Sequence, residues 1–223
     1  MESREIIERT AAFVRERLGT DATGHDWHHV DRVRRTALMI GAAEGADLHV
    51  VELAALLHDV ADWKFHGGSD AEGPRVAREW LENQEVSAAT VDQVVAIIGE
   101  VSFKGAGVKT EPTTLEGKVV QDADRLDALG AIGIARAFAY GGHKGQSLHD
   151  PAHAPTPHQS FEDYKKHSRS TINHFYEKLL LLKERLNTGT ARRLAQSRHQ
   201  FMEQFLAQFY REWDGEDYRP VCG

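Results

Sequence analysis

Cysteine is almost missing from this sequence: Cys222 stands alone among 223 residues. A single thiol excludes an internal disulfide framework and suits a reducing, cytoplasmic setting. No apolar run is longer than a handful of residues, so a membrane-spanning helix of about 20 residues is not expected. The start, Met1-Glu2-Ser3-Arg4-Glu5, has no apolar stretch behind a basic head and does not read as a secretory signal. Positive charge is short as well: 27 Lys and Arg against 34 Asp and Glu leave a formal net charge of −7. Stable binding along a nucleic-acid backbone normally needs the opposite balance. A small phosphate compound stays compatible if a few cations converge on it. Alternation with period two is also missing, so little or no sheet is expected.

What the chain does have is helical period. Ile6, Ile7, Ala11, Phe13, Val14 and Leu18 form one apolar stripe, closed by Gly19. Asp26 is placed to cap a second helix running to Gly45. Asp47 caps a third, whose Val50, Val51, Leu53, Ala54, Leu56 and Leu57 are too apolar for a surface position. Pro74 fits the first turn of a fourth helix ending near Asn83, and a fifth spans Val91 to Val101. The stretch from Ser102 to Pro112 reads as a loop. One helix is expected from Thr114 to Phe138, followed by a long loop opened by Gly141, Gly142 and Gly145. Its part from Leu148 to His158 holds three prolines and three histidines, and loops of that length are often lids. Ser160 and Asp163 suggest a capping box for a helix through Leu186, and a last helix is expected from Thr190 to Trp213. No linker separates two domains, so residues 1–223 are read as one all-α bundle.

The chemistry centres on His58-Asp59, at the end of the apolar third helix. Charge beside Leu56 and Leu57 is costly unless something compensates it, and a metal ion would. Adjacent helical residues diverge by about 100°, so further ligands must come from other helices. His28 and His29 stand at the start of the preceding helix, and Asp122 and Asp124 in a later one. Two imidazoles and two carboxylates suit Mn, Fe, Ni, Zn or Mg better than a soft metal. Read alone, a His-Asp pair is a solvated helix end; the ordered set gives it weight.

The ordered strings His29-Val30-Asp31-Arg32-Val33, Leu56-Leu57-His58-Asp59 and Asp122-Ala123-Asp124-Arg125-Leu126-Asp127 resemble the motifs of HD-domain phosphohydrolases. Gly24-His25-Asp26-Trp27, His58-Asp59-Val60-Ala61-Asp62-Trp63, Ser102-Phe103-Lys104-Gly105 and Ala139-Tyr140-Gly141-Gly142-His143-Lys144 are similar to one bacterial branch of small stand-alone members. The resemblance covers essentially the whole chain. It implies a metal-binding core over about residues 20–145 and a C-terminal helical pair over about 160–213. It also implies the metal ligands His29, His58, Asp59 and Asp124. Asp122 is then better placed as a supporting or structural carboxylate, because residues two apart on a helix diverge by about 200°. Binuclear members add histidines and an acidic residue after the pair, but here Val60-Ala61 follows. One divalent ion is therefore expected, manganese first, with Mg, Ni, Fe, Co or Zn as alternatives.

A divalent ion with open positions lowers the pKa of its water toward about 7. Asp59, and Asp62 one turn on, are the carboxylates placed to handle that water. Arg125, Lys104, Lys64, Lys109, His143 and Lys144 are the cations available to phosphate. The branch resembled includes enzymes that split nucleoside triphosphates, deoxy forms among them, into monophosphate and pyrophosphate; this is the reading put first. The alternatives are a monophosphate phosphatase at the same site, a di-iron oxygenase drawing on His66 and His143, and a non-catalytic module that binds nucleotide or partner. The stripes of Phe175, Leu179, Leu182 and Leu186 and of Phe201, Phe205 and Phe209 first suit packing of the last two helices on each other and on the core, with a homodimer built there as the alternative.

Overall fold

The computed structural model describes residues 2–18, 26–60, 71–101, 111–156 and 170–216. Seven α-helices fill the first part: α1 (Glu2–Leu18), α2 (Trp27–Glu44), α3 (Leu48–Leu57), α4 (Glu72–Asn83), α5 (Ala88–Val101), α6 (Leu115–Asp127) and α7 (Gly130–His143). The second part holds α8 (Thr171–Glu177), a 3-10 helix (Leu179–Arg185) and α9 (Gly189–Trp213). Among the described residues the only β pairing is an isolated bridge between Ser147 and Ser170. The expected all-α architecture is observed.

The hub is α3. Val50, Val51, Leu53, Ala54, Ala55, Leu56 and Leu57 are all buried, and α1, α2, α5 and α6 pack around them. Burying one large aliphatic side chain is worth roughly 1.5–3 kcal/mol, so this helix anchors the core. Its start is held by Asp47, which accepts from the backbone N–H of His49 and Val50. Helix α2 starts in the same way, with Asp26 accepting from His29 N, and ends at Gly45 in the left-handed conformation (φ 78°). Helix α9 lies across α2, α6 and α7 and extends the same apolar core.

Three expectations about elements are corrected. The helix expected from Thr114 to Phe138 is two helices. The chain turns at Ala128 and Leu129, and Gly130 takes φ 76°, which favours glycine. A Cβ on Gly133 would fall on the Ala128 carbonyl, and Arg198 of α9 bonds the Leu126 carbonyl at 2.5 Å. Two glycines and a tertiary contact thus break a segment whose apolar period reads as one helix. Gly141 and Gly142 do not open a loop but lie inside α7; the turn falls on Gly145 (φ 66°). The helix expected through Leu186 is interrupted at Lys178 and continues as a 3-10 helix, which brings Leu179 and Leu182 onto one buried side. The Ser160–Asp163 capping box lies outside the described residues.

The part of the long loop that is described is pinned. Asn173 donates to the His153 carbonyl at 3.0 Å, and Thr156 N donates to Glu177 at 3.1 Å. The His149 ring sits among Phe209, Tyr210 and Trp213, 5.0–6.0 Å between centroids.

Candidate metal centre

Three helix ends meet at the ordered motif residues. His29 lies in the first turn of α2, and its backbone N–H is held by Asp26 at 3.0 Å. His58 is the C-cap of α3, with Asp59 in the turn that follows. Asp124 and Asp127 lie in the last turn of α6, three residues apart and so on one face. The ring centroids of His29 and His58 are 5.4 Å apart.

Four donor atoms converge. His29 Nε2 is 3.4 Å from Asp59 Oδ2 and 3.5 Å from Asp124 Oδ1. His58 Nε2 is 3.5 Å and 4.0 Å from the same two oxygens. The tightest grouping is His29, His58 and Asp59, with one ligand atom of each within 4.8 Å of the others. These spacings are longer than hydrogen bonds and suit donors arranged around one small cation.

The two imidazoles are aimed by what they hold on their other nitrogen. His58 Nδ1 donates to the Ala55 carbonyl at 2.8 Å. A carbonyl only accepts, so Nε2 carries the lone pair. That Nε2 is buried and has no hydrogen-bond partner among the described residues. A buried polar atom in that condition is costly unless a further group, such as a bound cation, satisfies it. His29 Nδ1 faces Asp127 Oδ2 at 2.7 Å. The donor set, the spacing and the orphaned nitrogen all fit a divalent cation held by nitrogen and oxygen ligands.

Asp127 is the site residue that the motif analysis missed. Its carboxylate also accepts from Arg32 (2.8 and 3.0 Å) and from Arg136 of α7 (2.7 Å). Burial pushes its pKa up, but the bonds from His29 and Arg32 and the charge of Arg136 outweigh burial and hold it well below the usual carboxylate range. The available signal was its position one turn beyond Asp124.

The other motif residues separate. Asp122 points away from the donors and is fully buried. It accepts from Asn187 N, Asn187 Nδ2, Thr188 N and Thr188 Oγ1 at 2.7–2.9 Å, fixing the start of α9 to α6. His28 is exposed. Arg125 is half-buried and donates to the Arg185 carbonyl; burial lowers its pKa despite the nearby Asp122 and Asp124. His143 and Lys144 are exposed at the far end of α7, with Lys144 Nζ 5.6 Å from the Tyr140 ring. His143 is about 10 Å along the helix axis beyond Arg136. Asp62, Lys64, His66, Lys104 and Lys109 lie outside the described residues.

The metal-free site should carry a pH signature. Burial favours neutral His29, but the hydrogen bond to Asp127 and the nearby Asp59 carboxylate outweigh it and carry the pKa from 6.5 up to about 8. The folded protein therefore binds this proton more tightly than the unfolded chain. The resulting stability is fully present below pH 6.5 and is lost as pH rises through about 8. A shift of that size corresponds to about 2 kcal/mol. Chelator-treated protein is expected to show a higher urea midpoint at pH 6 than a pH-insensitive site would allow, with the advantage gone by pH 9. His29→Gln should flatten that difference. Parallel profiles for the two proteins would mean that His29 is not the group responsible.

The match to known proteins falls on the same residues. The HD domain family model covers residues 26–129, which contain all four converging side chains. The uncharacterized protein YpgQ of Bacillus subtilis is 40% identical over 222 residues, spanning 97% of this chain and 98% of YpgQ. An HD-superfamily hydrolase from Bacillus thuringiensis, known from its crystal structure, superimposes with a TM-score of 0.75 at 43% identity, covering 95% of this chain and 98% of that one. The crystal structure of YpgQ in complex with ADP superimposes with a TM-score of 0.73 at 38% identity, covering 92% and 97% of the two chains. With its motif residues inside the matched segment and relatives aligned almost end to end, this chain belongs to the HD domain family.

Proposed function

We propose that this chain is a metal-dependent phosphohydrolase that splits nucleoside and deoxynucleoside triphosphates into monophosphate and pyrophosphate. The observation that carries the reading is the convergence of His29, His58, Asp59 and Asp124, with a His58 ring nitrogen that has no hydrogen-bond partner among the described residues. Support for the substrate class comes from YpgQ, a relative over nearly its full length, seen in complex with ADP. The whole of residues 1–223 acts as one domain in this proposal, since α9 shares one apolar core with the helices that bear the ligands.

His29, His58, Asp59 and Asp124 would hold one divalent ion, manganese first. A divalent ion bound there supplies an acidified water and a Lewis acid for a phosphoryl oxygen. The water oxygen bonds to the α-phosphorus, the bond from that phosphorus to its bridging oxygen breaks, and the electron pair leaves with pyrophosphate. Asp59 would orient the water and, with Asp62 three residues further along the sequence, would take its proton. Arg125 stands beside Asp124, with its guanidinium Nη1 donating to the Arg185 carbonyl, and its remaining N–H groups would offer charge to the phosphates together with Lys64, Lys104, Lys109, His143 and Lys144.

The test is product analysis on a nucleotide panel, with chelated protein and one divalent metal added back at a time. Pyrophosphate and monophosphate in equal amounts from triphosphates, only with metal, is the expected result. Inorganic phosphate from monophosphates would instead make the site a phosphatase. Tight nucleotide binding without any product would leave a binding module and overturn the hydrolase.

A further inference from the structure

The two histidines of the metal centre are aimed by different means. His58 is held by a main-chain carbonyl of its own helix, which no side-chain substitution removes. His29 is held by a side chain from a different helix, and that side chain is itself clamped. Asp127 is 5% exposed and His29 is fully buried. Arg32 donates Nε to Oδ1 at 2.8 Å and Nη2 to Oδ2 at 3.0 Å, a two-pronged grip from α2. Arg136 donates to Oδ2 at 2.7 Å from α7. One carboxylate therefore ties α2, α6 and α7 together, and its Oδ2 faces His29 Nδ1 at 2.7 Å. With both oxygens engaged, the carboxylate cannot swing. An acceptor-only group in that position puts the ring hydrogen on Nδ1 and turns the Nε2 lone pair toward Asp59 and Asp124.

We propose that Asp127 is a positioning residue for His29, acting behind the metal, and that Arg32 and Arg136 act through it by locking its carboxylate. The proposal rests on His29 being a metal ligand. A carboxylate behind a liganding histidine fixes ring orientation and strengthens the ligand, and its loss typically costs 10–100-fold in metal affinity. Arg32 and Arg136 are thereby assigned to the architecture of the ligand set and not to the phosphates.

The test is Mn(II) affinity, read from the electron paramagnetic resonance signal of free Mn(II), for wild type, His29→Ala, Asp127→Asn and Arg136→Met in the full chain. Circular dichroism and thermal unfolding of the metal-free proteins run alongside. Asp127→Asn is expected to keep its helicity and bind Mn(II) about 10–100-fold more weakly. Its nucleotide turnover should largely return at saturating Mn(II), which a collapsed site would not allow. Arg136→Met removes one clamp, leaves the carboxylate in place, and should show a smaller loss in the same direction. It also carries the test if Asp127→Asn does not fold. Wild-type Mn(II) affinity in both folded variants, or in Arg136→Met alone if Asp127→Asn is unfolded, would overturn the positioning role. Undiminished affinity in His29→Ala would instead remove the ligand assignment beneath it, so the two failures are distinct.

Discussion

His58→Ala is expected to lower metal-supported pyrophosphate release by on the order of 1,000-fold, the equivalent of the several kcal/mol that a bound metal contributes to a transition state. His58 supplies one of only two nitrogen donors in the convergent set, and the only one oriented by main chain. Alanine leaves Asp59 and Asp124 facing a gap with a single imidazole. The fold should survive, because His58 caps α3 and does not lie within it, while Leu53 to Leu57 keep their burial. Far-ultraviolet circular dichroism should therefore be close to wild type while Mn(II) binding and turnover fall together. Asp124→Ala is expected to behave alike, since its oxygen lies 3.5 and 4.0 Å from the two ring nitrogens. Wild-type turnover in either variant would mean that the chemistry happens elsewhere.

Asp122→Ala is expected to strike stability and not chemistry. The carboxylate is fully buried and accepts four hydrogen bonds, two from the backbone N–H groups of Asn187 and Thr188. Burial raises the pKa of Asp122, and these donors offset part of that cost. Alanine strands the donors in the interior, and breaking a buried network of this kind costs about 3–5 kcal/mol. For a chain of this size that corresponds to a fall in melting temperature of about 10 °C. Asp122→Asn keeps one acceptor oxygen and should fall between the two. Differential scanning calorimetry of the metal-free proteins measures it. A fall much smaller than that for Asp122→Ala would mean that water replaces the carboxylate and that α9 does not depend on it.

Local signals were legible wherever the physics is local. Asp26, Gly45 and Asp47 announced the bounds of α2 and the start of α3 because a cap or a left-handed glycine acts within one turn. The four converging side chains were legible through the resemblance of their ordered motifs to a known family, and Asp122 was already set apart by its angle on the helix. The break at Leu129 had a local signal in Gly130 (φ 76°), but its lock is not local: Arg198 arrives from α9 to hold the Leu126 carbonyl. Asp127 was hidden for the same reason. Its partners come from α2 and α7, and Arg136 falls within what reads as one continuous helix, where it would point along the axis and not back across it. The phosphate-side cations were chosen by charge and neighbouring glycine alone, which says nothing of direction, and Arg125 turns toward the Arg185 carbonyl.

The way the helices end at the site has an electrical consequence of its own. Helices α3 and α6 arrive by their carboxyl ends and α2 by its amino end. Aligned peptide dipoles give each carboxyl end roughly half a negative charge and each amino end roughly half a positive one. The main chain thus presents a cation with two favourable poles, and offers an anion the third from the α2 side. No side-chain substitution erases this field, so a protein stripped of its liganding side chains should still sense the sign of an approaching ion.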